Sequence, residues 1–312
     1  MVPPANFTSY YGRPVIKPPV WTARDIAGYF FTGGLAGGTA VLAAGADLTG
    51  RPVMRRFCRG MALGAITLSF VGLIDDLGKP ARFVHMLRVV RPSSPMSIGT
   101  WLLAGFGPAT ALAAGSEVAG ALPLPRTPRD LLRASGRPAG LAAATMAPFV
   151  MTYTGALVSD TAVPVWHEAH REMPYVFGAS AVASAGGWAV ATSPRAEVGP
   201  AYAFALTGAV ADLALTELMK KRLGMVAEPL ESGRAGTLMK AATWTTASGA
   251  GILALAGWRS RTARILGGTA LLAGSALARF GIFEAGKESA ADPKYTVVPQ
   301  RERLQAEGPF RA

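Results

Sequence analysis

Cysteine and histidine are nearly missing from this chain of 312 residues, and each scarcity closes off a class of chemistry. A single cysteine, Cys58, allows no intrachain disulfide framework. It also excludes an iron–sulfur cluster held by four of the chain's own thiolates. The three histidines are His85, His167 and His170, and all fall between apolar runs. A haem buried in a membrane needs histidines inside facing helices, so haem is excluded too. His167 and His170 have the HxxH spacing of a metal pair, but no further ligand set accompanies them. Charge is also sparse: 16% of residues are charged, against about 25% in a soluble domain. No Ser-His-Asp or Cys-His arrangement stands out. "GGLAGG" at 33–38 has no strand before it and no Lys-Ser/Thr after it, so it is not a phosphate loop. The first 24 residues are Pro-rich and lack the apolar core of a signal peptide.

What is present is apolar surface in long runs. Half of the residues are hydrophobic, mean hydropathy is +0.30, and glycine (37) and alanine are abundant. Small residues let helices approach closely in a bilayer. Eight runs are long enough to span one, at about 26–46, 60–77, 97–118, 139–159, 174–193, 198–218, 241–258 and 264–283. The sequence therefore predicts an all-α membrane protein. A bundle of eight transmembrane helices occupies 26–284, with an extramembrane N-terminal arm at 1–25 and an extramembrane C-terminal tail at 285–312. The net charge of +12 sits between the apolar runs, which fits anchoring in the lipid bilayer and not a nucleic-acid partner. Connections 47–59, 119–138, 194–197 and 259–263 are rich in arginine and hold few acids, among them Asp47, Asp130 and Glu197. Short arginine-rich connections read as cytoplasmic. Both termini are then expected on the outer face of the cell (cytoplasmic) membrane.

The unusual residues collect toward that outer face. "LIDDLGKPARFVHMLRVVRPSSPMS", 73–97, closes one apolar run with Asp75 and Asp76. It then adds basic residues, His85 and prolines before the next run. The two aspartates are expected to pair with Lys79, Arg82 or Arg88, or simply to end a helix beside Lys79 and Arg82. Asp212 lies about 9 Å inside its run and Tyr153 about 10 Å below the end of its own. Intramembrane acids line cavities, pair with cations or relay protons. Asp75, Asp212 and Glu217 are thus candidate proton-relay groups, although Glu217 beside Lys220 and Lys221 also reads as interfacial. Tyr153 reads equally as a packed aromatic. Asp75, Asp76, Tyr153 and Asp212 are expected to converge on one site, among the first, second, fourth and sixth runs. A secondary transporter and a purely structural anchor are the rival readings. The first would show inverted repeats and broken helices, and the second has no use for Asp212 or Tyr153.

Several stretches resemble the NrfD/polysulfide reductase membrane-subunit family. They are "YYGRPVIKPPVW", "YFFTGGLAGG", "DDLGKPARFVHMLRVVRPSSPMSIGTW", "YTGALVSDTAVPVW" and "EAGKESAADPKYTVVPQR". The resemblance implies an eight-helix, quinone-binding anchor without haem or an iron–sulfur cluster of its own. Its cofactor would be menaquinone or another quinone, bound non-covalently. Its partner would be a ferredoxin-like iron–sulfur subunit and, through it, a molybdopterin-type catalytic subunit. Tyr153 in "YTG" resembles the family's quinone-contacting tyrosine, and Asp76 in "DLGKP" matches its aspartate position. His85 stands where the family often has Asn, and is carried as a quinone-site candidate on that footing. Segment 78–96 would cap the pocket. Tyr11, Arg13, Lys17, Arg82 and Arg88 would lie on the face that docks the partner.

Overall fold

The computed structural model describes residues 15–17 and 19–307, and these are helical almost throughout. Twelve α-helices follow one another: α1 (Gly28–Leu48), α2 (Pro52–Leu77), α3 (Pro80–Met86), α4 (Pro95–Val118), α5 (Arg126–Ser159), α6 (Pro164–Glu168), α7 (Met173–Thr192), α8 (Gly199–Leu223), α9 (Glu228–Glu231), α10 (Gly233–Ile252), α11 (Arg261–Ala291) and α12 (Lys294–Glu307). A π-helical turn, Ala23–Ala27, leads into α1.

The long helices form two groups of four. One holds α1, α2, α4 and α5, and the other holds α7, α8, α10 and α11. They meet along α1 and α7 and along α5 and α7. The seams are made by glycine. A Cβ on Gly38 of α1 would lie 2.6 Å from the Ala185 Cβ of α7, and one on Gly37 would lie 2.7 Å from Met151 of α5. "GGLAGG" is therefore a contact face, as small residues in a bilayer helix suggest.

Among the described residues, six helical stretches are long and apolar enough to cross a membrane: 23–48, 52–77, 95–118, 126–159, 199–231 and 261–291. The remaining two long helices, α7 and α10, have 20 residues each, but Gly, Ser, Thr and, in α10, Lys240 dilute their hydropathy. For α7 the reason is its surroundings. It is packed by α1, α5, α8 and α11, so it needs small residues for contact more than large ones for lipid.

Helix extends into several of the expected connections and into the expected tail. The 119–138 connection is helix from Arg126 onward, so Arg126, Arg129, Arg133 and Arg137 ride the first turns of α5. Segment 78–96 contains α3, and the expected tail from 285 is the end of α11 followed by α12. Helix α2 stops at Gly78, whose φ of 71° suits the left-handed cap that glycine adopts without strain. At its other end, Glu197 accepts a hydrogen bond from the Met54 amide at 2.7 Å, satisfying an otherwise unpartnered helix N-terminus.

Candidate functional site

The chain before α1, together with α1, α2, α4 and α5, encloses a cavity of about 120 Å³. Its walls are mostly apolar, with Ile26, Phe30, Leu73, Met86, Leu103 and Leu157 among them. Five side chains with polar atoms stand out against that lining: Trp21, Tyr29, Asp76, Thr100 and Tyr153. The Tyr29 and Tyr153 rings meet edge to face, 6.4 Å apart at 80°. Tyr153 can occupy this position because Gly99 of α4 faces it: a Cβ there would fall 2.4 Å from the ring. Neither phenol hydroxyl has a hydrogen-bond partner among the described residues. Asp76 is exposed, and so is the cavity-lining Met96. These two side chains mark the mouth, between α2 and α4.

Two expected residues, Tyr153 and Asp76, are thus brought together although 77 positions separate them. The others are not. Asp212 lies buried on α8, in the other group of helices. The expected convergence with Tyr153 does not form, because α8 packs on α7 and α10 while α4 supplies the wall instead. Asp75 is exposed and outside the lining. Glu217 is exposed and paired with Lys220 at 2.8 Å. His85 is exposed on α3, one residue from the lining residue Met86.

The expected pairing of Asp75 and Asp76 with Lys79, Arg82 or Arg88 is absent among the described residues. Arg82 folds back instead and donates to the Leu77 carbonyl, the use that a basic side chain finds near a helix C-terminus. The charged group acting on Asp76 is another carboxylate, Asp25.

Beyond Trp21 lies a second hollow of about 330 Å³, lined by Lys17, Val163 and Trp166. Trp21 borders both spaces and stacks on Trp166 at 6.1 Å. Trp166 is anchored in turn by its Nε1–H to the Ile282 carbonyl, 2.8 Å. Lys17 therefore sits one indole away from the cavity. Tyr11 and Arg13 lie outside the described residues.

Sequence reasoning missed Trp21, Tyr29, Asp25 and the whole α4 wall. Tyr29 and Phe30 stand in an uncharged run, where nothing distinguishes a cavity wall from a lipid-facing ring. Among the described residues, no group of three or more His, Cys, Asp and Glu could hold a metal ion. His167 and His170 are joined only by the 2.9 Å contact of His170 Nδ1 with the His167 carbonyl and by their neighbouring rings.

Chemically, the lining can accept one ring of a ligand. A cavity of about 150 Å³ accepts benzene, so this one suits part of a larger ligand whose remainder extends through the mouth. Two free phenols can donate to oxygens on that ring, and a carboxylate at the mouth can exchange protons with it. No match is found among the curated proteins. Residues 16–196 match the family of the polysulphide reductase NrfD. That stretch is more than half of the chain and includes every residue lining the cavity, so this chain is an integral membrane protein belonging to the NrfD family.

Proposed function

We propose that this chain is the quinone-binding membrane subunit of a respiratory oxidoreductase complex. The observation that carries the reading is the pair of unbonded phenols, Tyr29 and Tyr153, in an apolar slot with Asp76 at its mouth. Phenol hydroxyls that make no bond within the protein are donors open to a ligand, and a quinone's carbonyl oxygens are acceptors of the right kind. Bound quinone supplies two-electron, two-proton carrier chemistry. The chain orients the headgroup through Tyr153 and Tyr29 and excludes water with Phe30, Leu103 and Leu157. Asp76 exchanges the protons, and the isoprenoid tail leaves past Met96 into lipid.

The redox partner is a ferredoxin-like iron–sulfur subunit docked over Lys17, Trp21 and Trp166, with a molybdopterin-type catalytic subunit beyond it. His85, Arg82 and Arg88, exposed on and beside α3, belong to that docking face. A cluster seated there is separated from the slot by the Trp21 indole.

The test uses Tyr153→Phe and Asp76→Asn in membranes, with complex recovery as a control for assembly. Tyr153→Phe removes one hydrogen bond, worth about 0.5–1.5 kcal/mol. Affinity for a quinone analogue should fall roughly 3- to 10-fold while the complex assembles normally. Asp76→Asn should slow quinone-coupled turnover more than it weakens binding. Full quinone-coupled activity in both variants would place the site elsewhere and leave the chain a structural anchor.

A further inference from the structure

Behind the cavity lies a buried charge that the site described so far does not use. Arg279 of α11 is 1% exposed. Its guanidinium carbon sits 3.8 Å above the Phe177 ring, and its Nη2 donates to the Phe177 carbonyl at 2.7 Å. Phe177 packs on Phe30 with ring centroids 5.7 Å apart, and Phe30 is a wall of the cavity. The order from the slot outward is therefore Phe30, Phe177, guanidinium.

Arginine stays protonated in proteins, so this is a fixed cation two aromatic layers behind a headgroup site. Its neutralisation is incomplete. Among the described residues, Nε and Nη1 have no hydrogen-bond partner, and neither does Asp212 Oδ1. Asp212 is the carboxylate that acts on Arg279, yet the two form no direct ion pair among the described residues. Asp212 hangs from α8, beside Ser180 of α7, and does not line the cavity. The cation thus reaches the slot through Phe177 while its counter-charge stands off. The opposing charges on the slot's side are Asp76 and Asp25.

We propose that Arg279 sets the charge selectivity of the headgroup cavity, favouring rings that carry negative charge over neutral ones, with Asp212 moderating its strength. The proposal rests on the quinone reading above and deepens it. Reduction by the iron–sulfur partner adds negative charge to a quinone, so such a field suits a site where the ring accepts electrons. Arg279 acts through Phe177 and Phe30 and touches no ligand, which makes it a positioning residue. A purely structural cation would hold α7 and α11 together without moving charge selectivity.

The experiment uses the complex purified in detergent and two small probes of nearly the same shape. One is 2-hydroxy-1,4-naphthoquinone, an anion at neutral pH, and the other its neutral 2-methoxy ether. Affinities are measured by calorimetry, and the anion-to-ether ratio is the readout. A unit charge about 10 Å away, at an effective dielectric of about 20, shifts anion binding by roughly 15-fold. Asp212→Asn keeps the side-chain shape and removes the counter-charge, so the ratio should rise. Adding Arg279→Gln to that variant should lower the ratio by roughly 15-fold, again from the Coulomb interaction, with ether affinity little changed. Arg279→Lys should retain the wild-type preference.

Equal ratios in Asp212→Asn and the double variant overturn the proposal, and so does an equal loss of both probes. If the double variant does not fold, Asp212→Asn decides alone, and a ratio that stays or falls sinks it. Failure of the wild-type complex to bind either probe overturns the quinone reading, and this proposal with it.

Discussion

Arg59 and Arg279 are both buried arginines, and their surroundings show what separates a structural charge from one left available. Arg59 donates to Glu117 at 2.9 Å and to Ser116 at 3.2 Å, and Asp47 lies 3.5 Å away. Arg55 joins the same two acids, at 2.7 Å and 3.0 Å. Removing one member of such a buried network leaves charge uncompensated, at a cost of about 3–5 kcal/mol. Glu117→Gln should accordingly lower the thermal midpoint of the purified protein by several degrees, about 2–4 °C per kcal/mol at the upper end of single-domain sizes. Arg137, two-thirds exposed and 4.0 Å from Asp47, is the control. Arg137→Gln should cost less than about 1 kcal/mol. Equal midpoints for the two variants would mean that the network adds nothing to stability. The sequence showed acids such as Asp47 to be rare among many arginines. It did not show which arginines they would hold.

At the scale of elements, contact depends on where glycine stands, not on how much of it there is. Gly38 and Gly45 share α1, yet only Gly38 meets a neighbour. A Cβ on Gly38 would lie 2.6 Å from the Ala185 Cβ and 2.8 Å from the Ala181 carbonyl oxygen, and backbone cannot move aside cheaply. Gly38→Ala should destabilise by about 1–3 kcal/mol, the usual cost of overpacking. Gly45→Ala meets nothing within 4 Å and should be neutral or slightly stabilising, by up to about 1 kcal/mol. Thermal unfolding of the two variants in detergent checks the contrast, and a stable Gly38→Ala would refute the close α1–α7 seam. The Gly99–Tyr153 contact is of the same kind, but there the neighbour is a wall of the cavity. Helix-to-helix approach and ring placement are therefore coupled, through a residue that composition counts merely as one glycine among 37.

For the whole molecule, both ends of the described chain lie at the cavity's end of the bundle. Val15 and Ile16 share one hollow of about 660 Å³ with Tyr295 and Arg303 of α12. Arg303 reaches Glu168 at 3.0 Å, and Lys294 pairs with Glu228, so α12 is tied to the short helices at that end. At the opposite end, Asp47 and Glu117 are taken up by arginines and Glu197 by the start of α2. Of the remaining basic residues there, Arg126, Arg133, Arg195, Arg259 and Arg261 are exposed, while Arg51, Arg129 and Arg264 are half-buried. That distribution favours a cytoplasmic location for the arginine-rich end. Compartment-specific reporters placed after Leu122 and after Glu307 should read opposite sides, with the Leu122 fusion cytoplasmic. A cytoplasmic signal from the Glu307 fusion would reverse the orientation, and with it the side on which the partner docks.

The helical membrane class and the family resemblance were legible in the chain, and Tyr153 and Asp76 could be singled out from it as candidates. Apolar length, charge placement and short motifs are local properties, and local properties survive in a string of residues. The partners were not legible. The Arg59–Glu117 pair spans 58 positions and the Arg279–Phe177 bond spans 102. The choice of α4 over α8 as a cavity wall depends on which helices pack together. Between helices in lipid, no hydrophobic difference selects the neighbour. Small-residue seams and a few polar bonds select it instead, and these exist only once the helices are side by side.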